Sequence, residues 1–173
     1  TMPPRMTPMR RIALLAALAL AMPAAASAQA RLMVGGGLGT PIGTFADSRE
    51  AGMHGRVGIQ IGVPIFPVSA RLEGELHRLP ETGGDNTTML TGTISGVVSL
   101  GGLGLSPYVV GGFGKYHINT SAAEAATSNG IHGGFGVSVG ALGFGGYAEI
   151  RLVNIRDLSG DLRYIPITVG FRF

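Results

Sequence analysis

The sequence has no cysteine and no tryptophan. Without cysteine there is no disulfide framework, so stability must come from elsewhere. Charged residues are only 13% against 45% hydrophobic. That balance suits neither a disordered chain nor an ordinary soluble helical domain. No apolar run reaches the ~20 residues of a spanning helix; the one that begins at Ile12 breaks at Pro23. A strong charge is missing too. Arg5, Arg10 and Arg11 account for the formal +3, since 13 basic residues less these three leave 10 against 10 acidic ones. A neutral remainder has no electrostatic footprint for nucleic acid.

Nucleotide motifs are also lacking. Gly112-Phe113-Gly114-Lys115 has no leading glycine at 109, and Tyr116 stands where a phosphate loop needs Ser or Thr. Gly134-Phe135-Gly136 meets Val139 where a dinucleotide fingerprint needs glycine.

What is present begins with an export signature. Arg10-Arg11, the apolar run from Ile12 to Leu20 and Ala28-Gln29-Ala30 supply a positive region, a short apolar region and an Ala-x-Ala cleavage site. Residues 1–30 are read as a signal peptide for the general secretory route, and residues 31–173 as one domain. Thirty glycines are far above the usual ~7%.

Residues 164–173 then read with period two. Ile165, Ile167, Val169, Phe171 and Phe173 form an apolar face opposite Tyr164, Pro166, Thr168, Gly170 and Arg172. Ten residues match the ~9–11 of a tilted membrane-crossing strand. Seven earlier runs alternate similarly, at 31–39, 54–63, 68–78, 88–100, 107–118, 130–140 and 144–154. The third is the most informative, with Val68, Ala70, Leu72 and Leu76 opposing Arg71, Glu73, Glu75 and His77. A small membrane barrel puts such aliphatics in lipid and the charges inside. In the fifth run, Tyr108, Val110, Tyr116 and Ile118 are read as lipid-facing, opposite Phe113, Lys115 and His117. The connections alternate long (40–53, 79–87, 119–129, 155–163) and short (64–67, 101–106, 140–143), as outer loops and periplasmic turns do. The expected fold is an all-β, eight-stranded antiparallel up-and-down transmembrane barrel.

That parity assigns a polar network to the lumen: Arg56, Gln60, Arg71, Glu73, Glu75, Lys115, Glu149 and Arg151. A simple hairpin register sets Arg56 against Glu75 and Gln60 against Arg71. Inward glycines are expected to make room for the large inward side chains. His54, His77, His117 and His132 fall at outer strand ends with inward parity, pairing 54 with 77 and 117 with 132. They form a candidate metal or pH site, set against the plainer reading of a polar rim. The long loops carry Asp47, Glu50, Glu81, Asp85, Glu124, Asp157 and Asp161. Phe66, Tyr108, Phe144, Phe171 and Phe173 are expected in a lower aromatic girdle, with Tyr116 and Tyr164 in an upper one.

The export segment, the eight patterned strands, Gly-Gly-Tyr-Ala-Glu-Ile-Arg-Leu at 145–152 and the final Val-Gly-Phe-Arg-Phe together resemble the small eight-stranded outer-membrane beta-barrel proteins. The resemblance covers residues 31–173. It implies a place in the outer membrane, and recognition of the closing strand through Phe171 and Phe173 by the barrel-assembly machinery. The expected surroundings are membrane lipid and lipopolysaccharide, around a monomer with no cofactor. The expected role is non-enzymatic: structural, with surface contacts or adhesion through the outer loops. A narrow small-solute pore, an outer-leaflet lipid-modifying enzyme and a soluble ligand carrier are the alternatives.

Overall fold

The computed structural model describes residues 29–47, 49–62, 66–81, 86–101, 104–120, 123–141, 144–157 and 160–173. The signal peptide reading, Val63, the turn residues Pro64 and Ile65, and Asp85 lie outside these, except that Gln29 and Ala30 begin the first strand.

Eight strands close on themselves in sequence order. They are β1 (Gln29–Ile42), β2 (Gly52–Gly62), β3 (Val68–Pro80), β4 (Asn86–Ser99), β5 (Leu105–Thr120), β6 (Ala123–Ala141), β7 (Phe144–Asp157) and β8 (Gly160–Arg172). Every neighbouring pair is antiparallel, including the seam between β1 and β8. Phe173 completes that seam: its amide donates to Leu32 O at 2.8 Å, and its carbonyl accepts from Leu32 N at 3.0 Å. Closure leaves no open edge, which a sheet in lipid requires. The turn from β4 to β5 needs left-handed backbone at Gly101 and Gly104, with φ of 86° and 87°.

The aliphatic faces point outward. Leu32, Val57, Ile59, Leu72, Ile94, Phe135, Leu152, Val169 and Phe171 are all exposed on the outer wall. Phe144 stacks on Phe171 at 6.0 Å between ring centroids and lies 5.6 Å from Phe173. These rings, with exposed Phe66, make a belt at the end where the short turns lie.

The fifth strand is turned over relative to its sequence reading. Phe113 is 62% exposed and Tyr116 only 1%. Lys115 and His117 are therefore on the outer surface, and Tyr108, Val110, Tyr116 and Ile118 fill the lumen. Shifting parity by one residue exchanges the two faces. Here both faces are apolar enough that hydropathy cannot choose between them. Tyr108, Tyr116 and Tyr164 are thus lumen residues, not girdle residues.

Two of the long loops, 119–129 and 155–163, are largely strand, and 79–87 is strand at both ends. The ladder of β5 with β6 continues to Thr120 opposite Ala123, with a bulge after Ile118. The ladder of β7 with β8 continues to Asp157 opposite Gly160, and β3 with β4 to Pro80 opposite Asn86. Among the described residues the connection from β1 to β2 forms a different element, a short 3-10 turn over Gly43–Asp47. In these outer extensions the polarity inverts. Arg78, His117, Asn119, Thr127, Asn129 and Arg156 face out, while Leu79, Met89, Ile118, Val153 and Ile155 are buried inside. Above the membrane the outward face meets water, so the lumen becomes the apolar side. A polar stretch without lipid-type alternation reads as loop, although it is paired strand.

Candidate functional site

The lumen holds three arginines and three glutamates in one tier, all at least 96% buried: Arg56, Arg71, Arg151, Glu73, Glu75 and Glu149. Period two on β2, β3 and β7 aims them inward. The register pairs Arg56 with Glu75 and Gln60 with Arg71, as the hairpin reading expects. β3 and β7 stand on opposite sides of the eight-stranded ring, so their ion pairs cross the full lumen.

Glu149 is the hub. It accepts from Arg56 Nη1 at 2.5 Å, Arg71 Nη1 at 2.6 Å, Arg151 Nε at 2.6 Å and the Tyr108 hydroxyl at 2.8 Å. Arg151 reaches Glu73 with Nη2 at 2.6 and 2.9 Å, and Glu75 with Nη1 at 3.4 Å. Arg56 Nε lies 2.8 Å from Glu75 Oε1 as an ion pair, without hydrogen-bond alignment. Arg71 also donates to Gln60 Oε1 at 3.0 and 3.2 Å, and its guanidinium sits 5.3 Å from the Tyr108 ring centre. Three charges of each sign make the tier neutral. Removing a single member leaves an uncompensated buried charge, which costs ~3–5 kcal/mol.

The tier is closed above and nearly filled below. On the outer side lies a dry cluster of Leu79, Met89, Tyr116, Ile118, Val153, Ile155 and Tyr164. On the periplasmic side are Met33 and the cluster of Val97, Tyr108 and Val110. A cavity among Met33, Gln60, Arg71, Tyr108 and Arg172 measures only about 10 Å³, which holds one water at most. Leu79 and Ile155 lie in stretches read as loop and Tyr116 and Ile118 on the face of β5 read as lipid-facing, so only Met89, Val153 and Tyr164 of this cluster had inward parity in the expected strands.

Glycines make this packing feasible. A Cβ at Gly136 would lie 2.5 Å from Tyr108, one at Gly130 2.7 Å from Tyr116, and one at Gly170 2.7 Å from Tyr147. Small inward residues beside large ones is the arrangement the glycine count implied.

The four histidines do not converge. His54 and His77 stack, with ring centres 4.8 Å apart, as their register places them. His77 Nε2 lies 2.9 Å from Glu75 Oε2, and His54 Nε2 2.8 Å from Thr168 Oγ1. His132 is inward and bonds Ser95 Oγ at 2.9 Å. His117 is on the outer wall, bonded to Thr127 at 2.9 Å, so the expected pair of His117 and His132 does not form. The register of β5 with β6 sets His117 opposite Thr127 and His132 opposite Gly112, five positions away, and the reversed parity of β5 puts His117 outside. Lys115 leaves the lumen set for the same reason. Among the described residues no three metal-ligating side chains come together. The Gly-x-Ser-x-Gly spacing that a hydrolase reading needs, expected to be absent, does occur at Gly136 to Gly140. Ser138 lies mid-strand in β6, buried, and donates to Ser106 O at 3.2 Å. It is not the exposed strand-to-helix turn of a nucleophile elbow.

A closed eight-stranded cylinder with a lipid-facing aliphatic wall and a charged, filled lumen defines a small integral membrane barrel. The chain belongs to the outer membrane protein beta-barrel domain family, whose pattern matches residues 12–173; it is an outer-membrane protein. Its fold is similar to that of Neisserial surface protein A, NspA (TM-score 0.70, 11% identity, covering 84% of this chain and 97% of that one). It is also similar to the N-terminal barrel of Pseudomonas aeruginosa OprF (0.51, 18%, 84% and 99%). A third similar fold is Ail, the attachment invasion locus protein of Yersinia pestis (0.51, 11%, 83% and 97%). No curated protein matches the chain.

Proposed function

We propose that this protein is a non-enzymatic outer-membrane component that acts through its outer end, as a structural element and a surface-contact or adhesive element. The observation that carries this reading is the blocked lumen. An ion tier braced across the barrel, with an apolar cluster above it, leaves no continuous water path among the described residues. What remains available to partners is the outer rim, and there the strands continue past the membrane. β6 is 19 residues long, against the ~9–11 needed to cross. The names of two similar folds, a surface protein and an attachment protein, agree with such a role.

Two measurements test it. Purified protein in a planar bilayer should show no discrete conductance steps; steady steps would favour the pore reading instead. Cells displaying the protein should bind host-matrix surfaces more than cells displaying a form with residues 118–127 replaced by a two-residue turn. Equal binding would remove the adhesive part. Altered lipid A in overexpressing cells, read by mass spectrometry, would favour the enzyme reading.

A further inference from the structure

Across the outer wall, β4 to β7 enclose a groove of about 550 Å³. Ile94, Phe113 and Ile131 form its sides, and Lys115, Asn129 and Arg156 its outer rim. The register explains both sets. Lys115 opposes Asn129, and Asn129 opposes Arg156, so the polar trio forms one row across three strands. The apolar trio forms the next row toward the periplasm. The floor is low beside Lys115 because outward-facing Gly92 carries no side chain, and a Cβ there would meet nothing within 4 Å.

The height of the row matters. Leu105, Val139 and Gly146 make the matching row at the periplasmic end. Ten residues separate each from Lys115, Asn129 and Arg156 on the same strand. At ~3.3 Å per residue and ~40° of tilt, the two rows are about 25 Å apart, the height of an apolar band. The cations therefore sit where outer-leaflet headgroups meet acyl chains.

We propose that this groove binds a phosphorylated, acylated lipid of the outer leaflet. Lys115 and Arg156 hold the phosphate, and one acyl chain lies against Ile94, Phe113 and Ile131. A guanidinium matches two phosphate oxygens at once, and an ammonium adds a point charge. The Asn129 amide between them supplies neutral donors. Asp161 occupies the next register position on β8, and even with it counted the row is net positive. The volume falls in the ~300–1,000 Å³ range of ligand sites. A free phosphate would use the row but not the apolar sides, and a plain hydrocarbon chain the reverse. A lipid with both parts uses the whole groove.

The test is native mass spectrometry of the folded protein in detergent, with bis-phosphorylated lipid A as the probe. Wild type should retain one lipid. Lys115→Gln with Arg156→Gln should weaken retention at least tenfold, and Phe113→Ala should weaken it without any change of charge. Arg78→Gln, which removes an exposed cation on β3 that does not line the groove, should leave it unchanged. Each variant is first checked for a folded-band shift before boiling. Undiminished retention by the double variant would overturn the proposal. So would equal retention of fully dephosphorylated lipid A, or displacement of the lipid by millimolar inorganic phosphate.

Discussion

Glu149→Gln removes the hub charge of the lumen and keeps the size of the side chain. Three arginines then face two carboxylates inside a wall with almost no water. Arg71 is hit hardest: its pair with Glu149 is 2.6 Å, and its next carboxylate, Glu73, is 3.6 Å away. The Tyr108 hydroxyl loses a charged acceptor as well. An uncompensated buried charge of this kind costs ~3–5 kcal/mol. Arg71→Met alone should cost a similar amount, because it leaves the opposite excess. The double variant leaves Arg56, Arg151, Glu73 and Glu75, whose own contacts at 2.6 to 2.8 Å survive. The two losses should therefore not add, with a coupling of about 2 kcal/mol or more in favour of the pair. Urea titration in thin lipid vesicles measures it. The chain has no tryptophan, so gel mobility and far-UV circular dichroism are the signals. A single-variant loss under about 0.5 kcal/mol, or strict additivity, would refute the idea that the tier is one electrostatic unit.

Other outcomes follow from the same geometry. Gly136→Ala drives a Cβ against Tyr108 and against the backbone at Ala148, and should cost ~1–3 kcal/mol by overpacking. Gly133→Ala, whose nearest neighbour is 4.0 Å away, should change stability little in the same titration. Because the chain lacks cysteine, single-cysteine labelling reads the parity of β5 directly. Lys115→Cys should react with a polar maleimide on intact cells and Tyr116→Cys should not; the reverse would restore the original facing. Deleting Phe173 removes both seam hydrogen bonds to Leu32 and the ring beside Phe144. Less protein should reach the heat-modifiable outer-membrane band.

The strand count, the order and several registers were legible because lipid enforces a strict period of two. β3 is the clearest case, with ions on one face and aliphatics on the other. The pairings of Arg56 with Glu75 and His54 with His77 followed from the short turn alone. β5 was illegible for a physical reason. Its inward set of Tyr108, Val110, Tyr116 and Ile118 is as apolar as its outward set, so the direction shows in tertiary contacts such as that of Tyr108 with Glu149. That contact joins residues 41 apart and leaves no local trace. The outer extensions hid because their hydropathy rule is the opposite of the one beneath. Leu79, Met89 and Ile155 signal a core only to a reader who already knows that water is outside.

The hairpin of β5 and β6 is laddered nearly to its tip. Six residues of β6 lie beyond Asn129 at the outer edge of the apolar band, so at ~3.3 Å per residue and ~40° of tilt the ladder rises ~15 Å above that band. A paired ribbon of that length behaves as a stiff mast, not a tether. Whatever docks at its end need not freeze a wandering chain first, so little conformational entropy is lost on contact. Under the surface-contact role proposed above, the mast would also fix the standoff between two surfaces, with ribbon length rather than tip sequence setting how closely this cell approaches another.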